Sequence, residues 1–148
     1  MKSYHETDPE FAERFDHFAF DEVVNEPGQQ LDPVTRHMAI LATLLGCQGK
    51  EEFAAELPRA LDAGLTPVMV KEIVYQAVDY LGIGRVRPFL DLTNGELTRR
   101  GVALPLAGQA TTTMDDRLEK GAQAQADIFG SQMLEAWKAG HINRWLAA

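Results

Sequence analysis

The sequence predicts an all-α protein. Apolar residues recur at helical spacing along nearly the whole chain, and no stretch of useful length alternates as a half-buried strand would. Cap-plus-proline starts and glycine stops also punctuate the apolar runs at helix-length intervals. Short connections between the expected helices imply antiparallel neighbours.

Each element has its own signal. Phe11, Phe15, Phe18 and Val23 lie three to five residues apart, which predicts an amphipathic helix over residues 9–25, ended by the turn Glu26-Pro27-Gly28. Asp32 then caps a second helix with Pro33 at the first helical position, where its missing N–H costs nothing. That helix runs to about Gly46 and is apolar on most of its circumference, so it is expected at the centre. Residues 50–63 form a third helix stopped at Gly64, and Pro58 within it is expected to bend or divide it. Thr66-Pro67 repeats the capped start for a fourth helix, with Ile73, Val74, Ala77 and Leu81 as its core stripe and Gly82 and Gly84 as its end. A fifth is expected between Arg85 and Arg100, perturbed by Pro88 and Gly95.

The expected organisation is a helical core over residues 1–105, a linker over 106–113 within the stretch VALPLAGQATTT, and a helical tail over 114–148 interrupted at Gly130. The tail carries Ile128, Phe129, Met133, Leu134, Trp137, Ile142, Trp145 and Leu146. Leaving that surface wet costs about 25 cal/mol per Å², so the tail is expected to dock on its own body or to swap with a partner in a homo-oligomer.

A net charge of −8 disfavours nucleic acid and anionic membrane surfaces, which need clustered cations. No segment approaches the roughly 20 apolar residues of a membrane span, and MKSYHETDPEF has no apolar signal region, so a cytoplasmic protein is expected. Cys47 is the only cysteine, which rules out an internal disulfide or a dithiol cycle within this chain.

The runs TRHMAILATLLG and LPRALDAGLTPVMVKEIVYQAVDYLGIG resemble the carboxymuconolactone decarboxylase family, which includes the alkylhydroperoxidase D-like proteins. The resemblance spans about residues 31–90, with ALDAGLTPVMVKEIVYQAVDYLG its most specific part. It implies an all-α bundle that assembles as a trimer or hexamer, or as a dimer if the tail swaps. The tail segment MDDRLEKGAQAQADIFG resembles the helix that opens a repeat of this family, and HINRWLAA resembles its Phe-rich helix. The chain is then either a shortened two-repeat form or one whose tail supplies the missing first helix.

In the hydroperoxidase-like members a glutamate is followed 12, 15 and 19 residues later by cysteine, cysteine and histidine. Those positions fall here on His37, Gly49, Glu52 and Glu56, so none is retained, and disulfide-relay peroxidase chemistry is not expected. The decarboxylase members usually keep the histidine; Glu56 in its place sets negative charge where an anionic substrate would sit. What remains is an acid/base group of His37, Glu52 and Glu56, in which neighbouring carboxylates and an imidazole can move a proton. The resemblance implies cofactor-free decarboxylation or lactone chemistry on a small organic acid. A histidine with two carboxylates can also bind a divalent ion, but the spacing matches no specific metal motif, so no metal and no cofactor are expected. The same Glu52 and Glu56 also read as a solvated helix face beside Lys50 and Arg59. On that reading the protein is a catalytically degenerate module that binds a ligand or partner. Arg85, Arg87 and Tyr75 are candidate substrate contacts, the arginines for a carboxylate. Cys47 is either a buried small hydrophobe or a redox thiol serving a peroxidase activity.

Overall fold

The computed structural model describes residues 4–140, and every regular element among them is a helix. The predicted segment Ile142, Trp145 and Leu146 lies outside the described residues. The chain divides into two units, Met1–Leu106 and Ala107–Ala148.

The first unit begins with an arm built from α1 (Tyr4–Thr7), α2 (Pro9–His17), a π-helical turn (Phe18–Glu22) and α3 (Val23–Asn25). The expected helix over 9–25 is present, but the π turn shifts its register. A π turn closes at i+5, and this brings Phe20 edge-on against Phe15 at 6.0 Å, while Phe15 stacks on Phe11 at 6.1 Å. The aromatic stripe remains open: Phe11, Phe15, Phe18 and Phe20 are each more than half exposed, and Ala12 is the arm's buried residue.

Four longer helices carry the core: α4 (Pro33–Gly46), α5 (Lys50–Asp62), α6 (Pro67–Gln76), extended after a break at Ala77 by α7 (Val78–Leu81), and α8 (Ile83–Arg99). Both capped starts form as their sequences require. Asp32 Oδ1 accepts from the Thr35 N–H at 3.0 Å, and Thr66 Oγ1 accepts from the Met69 N–H at 3.2 Å. Gly64 and Gly82 adopt φ of 109° and 78°, left-handed values suited to a residue without a Cβ.

Three expectations are corrected. α4 is not central: its buried residues are Leu41 and Leu45, Val34, Met38 and Leu44 pack only partly on the core, and Met38 and Ala42 border an open groove. The centre lies where α5 meets α8, with Phe53 and Phe89 in an edge-to-face pair 5.1 Å apart. Pro58 does not divide α5, which runs through it, and Arg100 Nη2 donates to the Pro58 carbonyl at 3.0 Å. Gly84 does not end the fourth helix, because α8 begins at Ile83 and continues through Pro88 and Gly95.

In the second unit, α9 (Arg117–Phe129) and α10 (Gln132–Lys138) pack together on either side of Gly130. Thr113 and Asp116 cap the start of α9 reciprocally: the Thr113 N–H donates to Asp116 Oδ1 and the Asp116 N–H to Thr113 Oγ1. Ile128 and Phe129 are exposed, whereas Met133, Leu134 and Trp137 are half-buried.

The helix ends of the first unit are clamped by charge. Arg100 bonds Glu96 at 2.7 Å and Asp62 at 2.6 Å, joining the end of α8 to the end of α5, while Arg99 also bonds Glu96. Chiefly through Arg99, with burial opposing and Arg100 assisting, the Glu96 carboxyl is held at about 2, below its ordinary 4.5. A lowered carboxylate contributes stability that is complete above its unfolded value and is lost as pH falls through its folded one. Urea unfolding between pH 6 and about 2 should therefore show stability declining from about 4.5 downward, with a shallower decline in Glu96→Gln. Equal slopes in the two proteins would contradict this clamp. Thr93 is fully buried and its hydroxyl has no hydrogen-bond partner among the described residues. Thr93→Val keeps the branched shape and removes the orphan, so it should raise unfolding stability by about 1 kcal/mol, readable as a higher melting temperature.

Candidate functional site

The buried residues of α5 are Phe53, Glu56, Leu57 and Ala60, one apolar stripe with a carboxylate in it. Burying such a group without a partner is costly, and His37 supplies the partner. Asp32 and Pro33 set where α4 begins, and His37 then lies on the side of α4 that packs on α5. Its Nδ1 sits 2.5 Å from Glu56 Oε1, with the two side chains 14% and 8% exposed. The other carboxylate oxygen faces Arg59 Nη1 at 3.4 Å. Arg59 is largely exposed, and its guanidinium carbon lies 5.7 Å from the centre of the Phe20 ring. A short chain of contacts thus runs from His37 through Glu56 and Arg59 to the aromatic arm, and the arm ring adds about 0.5–1 kcal/mol if it behaves as an exposed cation–π pair.

An ionised Glu56 only accepts, so Nδ1 carries the hydrogen of this bond and Nε2 is left to exchange protons. Nε2 has no hydrogen-bond partner among the described residues. The arrangement is that of an imidazole oriented by a carboxylate, the logic of a general acid/base.

The other expected residues are placed differently. Glu52 is exposed and makes no ion pair or hydrogen bond among the described residues. Four residues on a helix advance by about 40° beyond a full turn, enough to carry Glu52 off the edge of the buried stripe that Glu56 joins. Arg85 and Arg87 are exposed in the first turns of α8. Arg87 borders an open cleft between α5 and α8. Tyr75 is 45% exposed, and the Lys71 ammonium stands 5.4 Å from its ring centre. No hydrogen bond or ion pair ties these three to His37 or Glu56 among the described residues. Cys47 is exposed just beyond α4, which corrects its reading as a buried hydrophobe; its Sγ lies 3.5 Å from the Leu44 carbonyl. His17 pairs with Asp21 at 3.2 Å on the arm.

Two clefts open on the first unit. One, of about 580 Å³, lies between α5 and α8; the other, of about 600 Å³, lies between α4 and the α6–α7 pair and is lined by Met38, Leu45, Met69, Ile73 and Tyr80 among others. Neither is lined by His37 or Glu56. Among the described residues no three His, Cys, Asp or Glu side chains cluster as metal ligands would, and no helix is long and apolar enough to cross a membrane. Arg59 and Phe20 were not singled out as site residues from sequence. The spacing of Arg59 three residues after Glu56 was the available signal for the first, and the π turn that delivers Phe20 has none.

The model of the carboxymuconolactone decarboxylase family matches residues 9–94, more than half of the chain. It starts well before residue 31, so the Phe-rich arm falls inside the match and the α9–α10 unit outside it. No curated protein and no solved structure matches the chain. With an all-helical core and a family match over most of that core, the chain belongs to the carboxymuconolactone decarboxylase family.

Proposed function

We propose that this protein is a cofactor-free acid/base enzyme acting on a small organic acid or lactone, with His37 as the proton-transferring group. The observation that carries this is the buried His37–Glu56 hydrogen bond of 2.5 Å. In the hydroperoxidase-like pattern a glutamate precedes a histidine by 19 residues; here a histidine precedes a glutamate by the same interval, and the two are bonded. The pair is kept in exchanged order. Its cysteine positions are Gly49 and Glu52, so thiol chemistry is not part of the proposal.

Glu56 orients the ring and balances the imidazolium when it forms. Both of its oxygens are engaged, by His37 and by Arg59, which lessens its repulsion of an anionic substrate. Arg59 keeps more than half of its side chain in solvent and is suited to hold a substrate carboxylate. Loss of carbon dioxide from a carboxylated lactone leaves a dienolate that needs a proton on carbon, and protonated Nε2 can donate it. Homo-oligomeric assembly as a trimer or hexamer belongs to the same proposal, supported by the open aromatic stripe of the arm, since contiguous exposed apolar surface marks contact sites. A cytoplasmic setting is proposed with it.

A second reading has its own support: neither cleft is lined by the pair, as suits a ligand- or partner-binding module without catalysis. Turnover of a carboxylated lactone separates the two. His37→Gln should lower kcat by at least about a hundredfold, Glu56→Gln by about tenfold with an altered pH profile, and Arg59→Ala should act mainly on KM. Circular dichroism would check that each variant folds. Unchanged turnover in a folded His37→Gln protein would end the enzyme reading and leave the binding module.

A further inference from the structure

We infer that the cleft between α5 and α8 is a binding site for a small amphipathic carboxylate, separate from the His37–Glu56 pair. Its floor is apolar, made by Ala54 and Leu57 of α5 and Pro88 and Leu92 of α8. Its rim carries Lys50 from α5 and Arg87 from α8. Both cationic side chains are exposed, and neither takes part in an ion pair or hydrogen bond among the described residues. Two unengaged cations from different helices, facing one apolar hollow, are a local exception on a chain of net charge −8.

The hollow has the size of a small-molecule site, about 580 Å³, and is lined by apolar residues together with Lys50, Arg87, Asp91 and Glu96. Gly95, in the interior of α8, borders it as well. Glycine is the poorest helix former after proline, yet a Cβ at Gly95 would meet nothing within 4 Å. The packing of this chain therefore does not call for glycine there, and bare backbone is left open to an occupant.

Two acids share the rim, and their states favour an anion over a cation as the ligand. Glu96 is already engaged by Arg99 and Arg100. Asp91 lies on the rim with no partner among the described residues, so the free charges that face the hollow are two positive and one negative. Chain length and head group then follow: an aliphatic or aromatic body on the floor, one carboxylate between Lys50 and Arg87.

The test is titration of isotopically labelled protein with octanoate, followed by amide chemical shifts, with neutral octanamide as the control. Saturable shifts are expected at Ala54, Leu57, Gly84 and Gly95 with octanoate, and far weaker ones with octanamide. The double variant Lys50→Ala/Arg87→Ala, confined to exposed side chains, should weaken octanoate by about tenfold or more, and Asp91→Asn should tighten it. Gly95→Leu, which fills the hollow, should abolish the shifts at Ala54 and Leu57. The inference is overturned by an absence of saturable binding, by shifts centred on the α4–α6 groove, by equal affinity in the double variant, or by weaker binding in Asp91→Asn. The His37→Gln protein should bind octanoate as wild type does, so this result and the fate of the catalytic reading are independent.

Discussion

A carboxylate set in the apolar stripe of a helix must find a partner, and Glu56 is that carboxylate. It projects from α5 in line with Phe53, Leu57 and Ala60, the residues that build the core. The cost of burying it is offset only if a donor on the facing helix comes within hydrogen-bond reach. His37 does so from α4. The pairing consequently fixes how α4 lies along α5, and it orients an imidazole with one nitrogen held and the other available. One contact thus serves packing and, in the function proposed, chemistry as well.

The same helix carries the two proposed sites on two of its sides. Toward α4 it presents Glu56; toward α8 it presents Leu57 and Ala54 over the basic-rimmed cleft. Its far end is tied down by Arg100, which bridges Glu96, Asp62 and the carbonyl of Pro58. A proline in a helix interior removes one backbone donor. Arg100 bonds the carbonyl of that proline and the Asp62 carboxylate, and so ties the last turns of α5 to the end of α8.

The N-terminal arm illustrates how a local irregularity changes a surface. A regular α-helix would align Phe11, Phe15 and Phe18. The π turn instead brings Phe20 onto Phe15 and, beyond it, onto the Arg59 guanidinium. The arm thereby sets the Phe20 ring against Arg59 while most of its stripe stays open. The family match begins at residue 9 and so includes this arm.

Sequence by itself determined the helical class, the capped starts at Asp32 and Thr66, the stops at Gly64, Gly82 and Gly130, and the family. Those are local signals: a side-chain oxygen three residues before an N–H, a ring that presets φ, a residue without a Cβ. It also named His37 and Glu56, because a known spacing could be laid on the chain. Tertiary structure alone decided that these two meet while Glu52 turns away. A rotation of about 40° on one helix, invisible in a list of spacings, separates a residue in the buried stripe from one in water. It likewise decided that the core centres on Phe53 and Phe89, that α5 survives Pro58, and that Lys50 and Arg87 share one cleft. Each of these depends on which faces of two distant helices are pressed together, and that is set by the sum of the packing and not by any one segment.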